Sequence, residues 1–372
     1  MDVTLNRAQL AQELQLLQGV LERRTTIPIL THVLLTASGD RVDVVATDLD
    51  LTVFTATPAS VRQEGRVTVH GRVFFDLLRQ LPSDTLQLTV QETRLLLQSG
   101  SFRSELAILD PSQYPTLPEL RQGQGYALPL SLLHALIDRA AFAVSAEEGH
   151  FQYNAALLNL SADAVEMVGT DGHRLAFVRY AHAGGTPPFS RQLLPRKLLQ
   201  QLRRLEDGPE SPVYLSLGER HLAFRLGDRV LMSRLLESRF PQYEKVLIRT
   251  HPLRAQLSRH DFMASLRRVA LLSSDRNHGV YLDFQAHALT VASAGFELGQ
   301  AAEELPCQYQ GEPLKVFVNA SYLLDFLSSC SEQQVAMQLA RADAPIVLSP
   351  VAEEGSPAEC LYVLMPIKFA GA

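Results

Sequence analysis

The sequence lacks the features that mark several large classes of protein. It contains no tryptophan and only three cysteines, Cys307, Cys330 and Cys360, with no Cys-x-x-Cys pair. An odd number of scattered cysteines argues against a disulfide or zinc framework and favours a reducing compartment, so we expect a cytoplasmic protein. No apolar run approaches the ~20 residues that span a bilayer. The first residues also have no signal-peptide pattern, so no association with membranes is expected.

An excess of positive charge is also missing. The 372 residues include 34 Lys and Arg against 40 Asp and Glu, a formal net charge of -6. A protein that holds nucleic acid by bulk attraction should be basic. The predicted helices nevertheless carry more Lys and Arg than Asp and Glu. Two explanations are open. Lys and Arg favour helices by propensity, or the helices share a basic face that attracts a polyanion while the sheets repel it.

One stretch recurs along the chain at constant spacing. Thr170-Asp171-Gly172-His173 lies between two alternating runs, the pattern of two strands joined by a tight turn. A near copy around Asp48 lies 123 residues earlier, and a fainter one around Ala294 lies 123 residues later. The helix-entry residues Gly71, Pro195 and Asn319 are spaced in the same way.

The repeat predicts three domains of one design, with boundaries at 1–124, 125–251 and 252–372. Each is expected to open with an amphipathic helix, followed by strands, a second helix and further strands. Because the helices and strands do not alternate strictly, this order is typical of an α+β fold in which two helices pack on antiparallel sheets.

Catalytic motifs are missing as well. There is no Gly-x-Ser-x-Gly, His-Glu-x-x-His or P-loop sequence. Asp48 and Asp50 are spaced like a pair of metal ligands, or Asp48 bonds the amides of its own turn. His173 beside Asp171 suggests a general base, an exposed turn histidine or the wall of a peptide groove. The apolar segment 361–369 suggests either a buried last strand or part of such a groove, and Pro366 predicts that pairing ends after Val363.

Six short segments together form a specific pattern. They are Thr26-Ile27-Pro28-Ile29-Leu30, Ala46-Thr47-Asp48-Leu49, Thr170-Asp171-Gly172-His173-Arg174-Leu175-Ala176, Pro195-Arg196-Lys197, Arg239-Phe240-Pro241-Gln242-Tyr243 and Tyr362-Val363-Leu364-Met365-Pro366. With them the chain resembles the bacterial DNA polymerase III β subunit family, the sliding clamps, essentially from end to end. The resemblance implies three clamp domains per chain, a ring of two chains with helices lining the hole, and no catalysis, metal or cofactor.

The resemblance also implies partners and sites. Double-stranded DNA would be encircled without sequence specificity. The DNA polymerase III α subunit, the clamp loader, other polymerases and mismatch-repair proteins would bind through linear peptides in a groove between the second and third domains. The groove positions are Thr170, Gly172, His173, Arg174, Leu175, Pro241, Val246, Val363, Leu364, Met365 and Pro366. His150, Tyr153 and Lys245, and the extension Ala370-Gly371-Ala372, depart from the family pattern.

Two further sets of residues complete the expectation. Arg24 matches a DNA contact of the family, and the other DNA-facing candidates follow from helix position and charge: Arg72, Arg79, Arg196, Lys197, Arg203 and Arg204. The ring contact is expected to involve Leu106, Leu271 and Leu272, in a head-to-tail interface. Two alternatives remain open: a peptide-binding scaffold that does not load on DNA, and an enzyme that uses Asp171 and His173.

Overall fold

The computed structural model describes residues 1–22, 25–118, 126–147, 153–182, 185–187, 189–247, 251–273, 278–293, 299–351 and 358–367. Within them the same order of elements occurs three times: a strand, a helix, a set of strands, a second helix and three more strands. The repeat predicted from the sequence is therefore confirmed, together with the α+β class.

The first two repeats have identical element orders. The first contains β1 (Asp2–Asn6), α1 (Arg7–Leu17), β2 (His32–Ser38), β3 (Arg41–Thr47), β4 (Leu51–Gln63), β5 (Gly65–His70), α2 (Gly71–Gln80), β6 (Thr85–Gln91), β7 (Arg94–Ser99) and β8 (Phe102–Ala107). The second contains β9 (Tyr126–Pro129), α3 (Leu130–Ala140), β10 (Ala155–Leu160), β11 (Ala164–Thr170), β12 (Arg174–Ala181), β13 (Arg191–Pro195), α4 (Arg196–Leu202), β14 (Pro212–Leu217), β15 (His221–Leu226) and β16 (Arg229–Arg234).

The third repeat adds one short strand to this order. It contains β17 (Leu253–Ser258), α5 (Arg259–Ala270), β18 (Gly279–Gln285), β19 (Ala288–Ser293), β20 (Ala302–Pro306), β21 (Gln308–Tyr309), β22 (Leu314–Asn319), α6 (Ala320–Ser329), β23 (Gln334–Leu339), β24 (Ile346–Pro350) and β25 (Ala358–Leu364). The expectation that each repeat opens with a helix is wrong. A strand of four to six residues comes first, and its last residue leads directly into the helix.

Polar residues at the ends of these strands explain where the helices begin. The Asn6 carboxamide accepts a hydrogen bond from the Gln9 amide at 3.1 Å. The Asn319 side chain accepts a hydrogen bond from the Ser321 amide at 2.8 Å. The Ser258 side chain accepts one from the Asp261 amide. Such caps satisfy amides that have no partner within the helix. The expected helix entry at Asn319 is thus an N-cap, whereas Pro195 ends β13 and α4 begins at Arg196.

The strands form three antiparallel sheets, which belong to two compact units. The first unit, Met1–His134 with Thr186–Phe189 and Lys197–Leu236, contains a 12-stranded sheet. The second unit, Ala135–Gly185 with Ser190–Arg196 and Glu237–Ala372, contains sheets of nine and four strands. The strands of the middle repeat are shared between the two units.

One strand order occurs in both units. In the first, β5, β2, β3, β4, β16, β15, β14 and β9 are successive neighbours, and in the second so are β13, β10, β11, β12, β25, β24, β23 and β17. Each series joins one repeat to the next, through β4 and β16 or through β12 and β25. None of the helices in the described residues is long and apolar enough to cross a membrane.

Candidate functional site

The turn between β11 and β12 is built by its own side chains. Asp171 Oδ1 accepts hydrogen bonds from the backbone amides of His173 and Arg174, at 3.0 and 3.1 Å. Thr170 Oγ1 accepts one from the Gly172 amide at 3.1 Å. Gly172 has φ +90°, a value that glycine adopts without a steric penalty. Asp171 therefore acts on the backbone of its own turn.

The first repeat contains the same turn. Asp48 Oδ1 accepts the amides of Asp50 and Leu51, at 3.0 and 2.7 Å, and Thr47 Oγ1 accepts the amide of Leu49 at 3.1 Å. These bonds support the turn interpretation of Asp48 over metal binding. Within the described part of the chain, no group of three or more His, Cys, Asp and Glu is placed to hold a metal ion. The third copy, around Ala294, lies outside the described residues.

Beside the second turn, β12 and β25 form the floor of the candidate groove. Leu175 lies opposite Val363, and the Met365 amide donates to the His173 carbonyl at 3.0 Å. A buried apolar cluster extends this floor; it contains Ala155, Leu157, Val168, Leu175, Phe177, Leu193, Tyr243, Val347 and Val363. The predicted last strand and the floor of the candidate groove therefore share one segment, in which Tyr362, Val363 and Leu364 are buried. The prediction that pairing ends after Val363 is wrong by one residue, because Leu364 still pairs with β12 and β24.

Few of the predicted groove residues present their side chains to solvent. Met365 is 42% exposed and Val246 37%, and His173 is also exposed. Thr170, Leu175, Val363 and Leu364 are buried. The open positions therefore form a rim over an apolar floor.

The segment that carries Pro241 and Val246 packs over this floor. Phe240 and Leu247 contact the apolar cluster, in which Tyr243 is buried. The Asn159 amide donates to the Tyr243 hydroxyl at 3.0 Å, which holds the segment against β10. At the other end of the groove, Pro366 precedes Ile367, whose amide donates to the Phe317 carbonyl at 2.8 Å. His150 and Ala370–Ala372 lie outside the described residues.

Arg174 lies beneath this rim, with its side chain only 9% exposed. The guanidinium contacts Asp171 at 2.9 Å and Asp325 at 2.6 Å, and it lies 4.3 Å from the centre of the Tyr322 ring. Burial alone would lower the pKa of Arg174, but Tyr362 and these carboxylates outweigh it and raise the pKa. Arg174 therefore connects the turn to α6 and supports the groove from below.

The Asp171 carboxylate binds the amides of its own turn and the Arg174 guanidinium. Both carboxylate oxygens of Asp171 are occupied, one by turn amides and the other by Arg174. The backbone carbonyl of His173 accepts the hydrogen bond from the Met365 amide. In a Ser-His-Asp site an acidic residue orients the histidine ring. Among the described residues, no hydrogen bond joins the Asp171 carboxylate to the His173 ring.

Several of the predicted DNA-facing arginines lie together in the first unit. Arg79, Arg203 and Arg204 line a depression beside α1, with Arg7 and Arg229. Arg79, Arg203 and Arg204 are exposed. Arg7 and Arg229 are paired with Asp84 and Glu13. The positive potential of that surface therefore comes from Arg79, Arg203 and Arg204, with Glu206 as the acidic residue of the lining.

The remaining DNA-facing candidates differ in their surroundings. Arg72 is half-buried, and its guanidinium donates to the Leu21 carbonyl at 3.3 Å. Lys197 forms an ion pair with Asp48 and a second one with Glu22, at 3.3 Å, so its charge is largely offset. Arg196 is half-buried at the start of α4, and Arg24 lies outside the described residues.

The predicted ring-contact residues lie on or beside strands at sheet edges. Leu106 is on β8, one of the end strands of the 12-stranded sheet, and β20 is one of the two end strands of the four-stranded sheet. Leu271 and Leu272 follow α5, which packs against β20. Leu271 is 76% exposed, an unusual state for a large apolar residue that follows a well-packed helix.

Sequence reasoning missed two parts of the site. The groove floor includes Phe177 and Val347, and Phe177 was detectable because it alternates with Leu175 along β12. The buried pair Glu13–Arg229, at 2.6 Å, fixes α1 against β16. No local signal identifies that pair, because its residues are far apart in the chain.

Comparisons with known proteins agree in every part of the chain. Residues 1–118, 127–242 and 245–368 match the N-terminal, central and C-terminal domain models of the DNA polymerase III beta subunit. The beta sliding clamp of Pseudomonas putida is 31% identical over 370 residues, which cover 99% of this chain and all of that protein. The beta sliding clamp of Caulobacter vibrioides is 30% identical over 375 residues, with the same coverage.

Solved structures give the same result. The crystal structure of the DNA polymerase III β subunit from Pseudomonas aeruginosa matches with a TM-score of 0.89 at 30% identity, and covers 99% of this chain and all of that chain. A sliding clamp from Bartonella birtlesii, crystallised with griselimycin bound, matches with a TM-score of 0.93 at 31% identity and the same coverage.

Proposed function

The chain belongs to the DNA polymerase III β subunit family, the bacterial sliding clamps, and on that premise we propose that two copies close head to tail around duplex DNA. Its function is that of a processivity clamp for DNA polymerase, and it folds as three clamp domains. The proposed boundaries of these domains are 1–124, 125–251 and 252–372.

The pairing of strands carries the ring proposal. Within the chain, β4 of the first repeat pairs with β16 of the second, and β12 of the second pairs with β25 of the third. The same rule would pair β20 of the third repeat with β8 of the first, but within the described residues both lie at sheet edges. A second copy supplies the missing strand at each edge. Leu106, Leu271 and Leu272 would be buried at this junction, which is heterologous and closes at two copies.

The ring would hold DNA by confinement. Arg79, Arg203 and Arg204, with Arg24, Arg72 and Arg196, would attract the phosphate backbone without reading bases. Lys197 contributes less, because Asp48 and Glu22 offset its charge. Weak contacts permit sliding, and a net charge of -6 is compatible with a clamp that has no need to adhere.

The groove over Leu175 and Val363 would bind linear peptides of the polymerase α subunit, the clamp loader, other polymerases and mismatch-repair proteins. An apolar floor with an open rim at His173, Val246 and Met365 suits a short segment with apolar anchors. The griselimycin-bound relative supports a ligand site on this fold. We propose that the chain has no catalytic activity and acts in the cytoplasm.

Topological retention tests this function. After loading onto a nicked circular plasmid by a clamp loader, the protein should stay bound at high salt and should dissociate when the plasmid is linearised. Release from intact circles as fast as from linear DNA would contradict encirclement. Peptide binding without any retention would instead indicate a scaffold that does not load on DNA.

A further inference from the structure

A second apolar cavity lies in the first unit, on the face of the sheet where β4 pairs with β16. Its floor is formed by Leu34, Val45, Phe54, Leu117, Ala223 and Met232. Phe54 and Leu117 are only partly buried, so part of the apolar surface is open to solvent. We call this site the first-repeat cavity. It goes beyond the proposed function and does not depend on it.

The first-repeat cavity is the repeat counterpart of the groove. Met232 lies opposite Thr52, just as Val363 lies opposite Leu175. Leu34, Val45 and Phe54 are the counterparts of Leu157, Val168 and Phe177, each 123 residues further along. Both sites are formed on the same order of strands. The scaffold that makes an apolar floor in the second unit is therefore present in the first.

The rim of the cavity differs in charge. Arg41 is paired with Asp43 at 3.0 Å, and Arg225 stacks on Tyr214 at 5.3 Å. Arg66 and Arg220 are exposed and make no ion pair with any residue that the structure describes. Glu219 and Asp228 also line the cavity, so its lining contains four arginines and three acidic residues.

A histidine on the same rim, His221, lies near two arginines. Burial, together with the guanidinium groups of Arg234 and Arg220, lowers the pKa of His221. Nearby positive charge disfavours the protonated form of the ring. The same charge would favour an anion bound beside the ring. Arg220 therefore lies close enough to His221 for its charge to act on the ring.

The extent of the cavity indicates a chain segment. Its lining residues come from seven neighbouring strands, β5, β2, β3, β4, β16, β15 and β14. At about 4.8 Å between strands, this row is roughly 29 Å across, the length of an extended segment of about nine residues. A small apolar acid would fill only a fraction of that length.

We propose that the first-repeat cavity binds a short acidic peptide, with an apolar side chain on the floor at Phe54 and Met232 and carboxylates at Arg66 and Arg220. The main-chain direction would run across the strands. The clamp would then have two kinds of peptide site, one apolar with a histidine rim and one apolar with an arginine rim.

A photo-cross-linking peptide tests the site with the full-length protein. The probe is the fluorescein-labelled peptide DEELFDG with benzoylphenylalanine in place of phenylalanine, and KRRLFKG is its charge-reversed control. We expect cross-links in β14 to β16, at least tenfold weaker binding to the Arg66→Glu/Arg220→Glu variant, and at least tenfold weaker binding of the control peptide to the unaltered protein. The matched variant Arg254→Glu/Arg341→Glu, which reverses two exposed charges elsewhere, should bind within twofold of the unaltered protein.

Other outcomes would overturn the proposal. Cross-links confined to the groove, or lost from β14 to β16 in a Met365→Ala variant, would assign the peptide to the groove. Equal binding by the Arg66→Glu/Arg220→Glu variant would remove the arginine rim from the site. Octanoate serves as a competitor for the same site. If octanoate displaces the probe at the same concentration as unlabelled peptide does, the natural ligand is a small amphiphilic acid and not a peptide.

Discussion

At the scale of single residues, Leu49 is unusual because it is a leucine in the left-handed region of φ. Its φ is +80°, close to the +90° of its counterpart Gly172, and its side chain is 51% exposed. A β-carbon costs roughly 1–2 kcal/mol in this conformation. The two turns therefore have one geometry and different residues at the strained position.

Exchanging these residues should shift stability in opposite directions. Leu49→Gly should raise the free energy of unfolding by about 0.5–1 kcal/mol, because the relief of strain exceeds the added entropy of the unfolded chain. Gly172→Ala should lower it by about 1 kcal/mol, although a β-carbon there would lie 3.5 Å from Tyr153 and meet no clash. Urea denaturation measures both values, and a destabilising Leu49→Gly would show that the exposed leucine makes a contact that outweighs its strain.

Arg174 tests how far the groove depends on a residue beneath it. Arg174→Ala removes both ion pairs and leaves Asp171 largely buried, so we expect a loss of about 2–4 kcal/mol of stability. Peptide affinity should also fall, because the turn that carries His173 loses its link to α6. The matched control is Arg179→Ala, whose partly exposed pairs with Glu166 and Asp163 should contribute at most about 1 kcal/mol. Unchanged peptide affinity in a folded Arg174→Ala protein would contradict the supporting role.

At the scale of secondary-structure elements, local signals predicted most of the fold. Helix periodicity and the entry residues Gly71 and Asn319 placed α2 and α6 within a residue of their observed starts. Alternation on both sides of the Asp171 turn placed β11 and β12. The strand that opens each repeat was missed, because stretches as short as Tyr126–Pro129 have too few residues for a period to be recognised.

Pairings between distant elements were not predictable. Glu13 on α1 meets Arg229 on β16 across a sequence separation of 216, and Lys197 on α4 meets Asp48 in the turn before β4. A charge on a helix gives no indication of whether it faces solvent or a carboxylate from another repeat. For that reason Lys197 was grouped with the arginines that line the depression beside α1.

Lys197 and Arg203 should therefore respond differently to removal of their charge. Lys197→Ala leaves the Asp48 carboxylate, whose side chain is 7% exposed, without its cation and should cost about 1–3 kcal/mol of stability. Arg203→Ala should change stability by less than about 0.5 kcal/mol but should shorten retention on linear DNA at low salt. Chemical denaturation and surface-tethered DNA binding separate the two effects. If Lys197→Ala altered DNA retention and left stability unchanged, Lys197 would belong to the DNA-binding surface.

At the scale of the whole molecule, the edge strands β8 and β20 lead to the sharpest expectation. Aspartate at Leu106 or at Leu271 places a charge in the proposed junction, so each variant alone should be a monomer by light scattering at about 10 µM, since burying an unpaired charge costs several kcal/mol. Leu236→Asp, at another exposed apolar residue, should remain a dimer.

Mixing the two variants distinguishes a head-to-tail ring from other dimers. In a ring, Leu106→Asp damages the β8 side of a subunit and Leu271→Asp the β20 side, so a mixed pair keeps one intact junction and one junction damaged on both sides. The mixture should regain the mass of a dimer but stay open, and it should not be retained on circular DNA. An isologous contact between identical surfaces would place a damaged surface in every mixed pair. Failure of the mixture to dimerise, while each variant remains folded, would therefore count against head-to-tail closure.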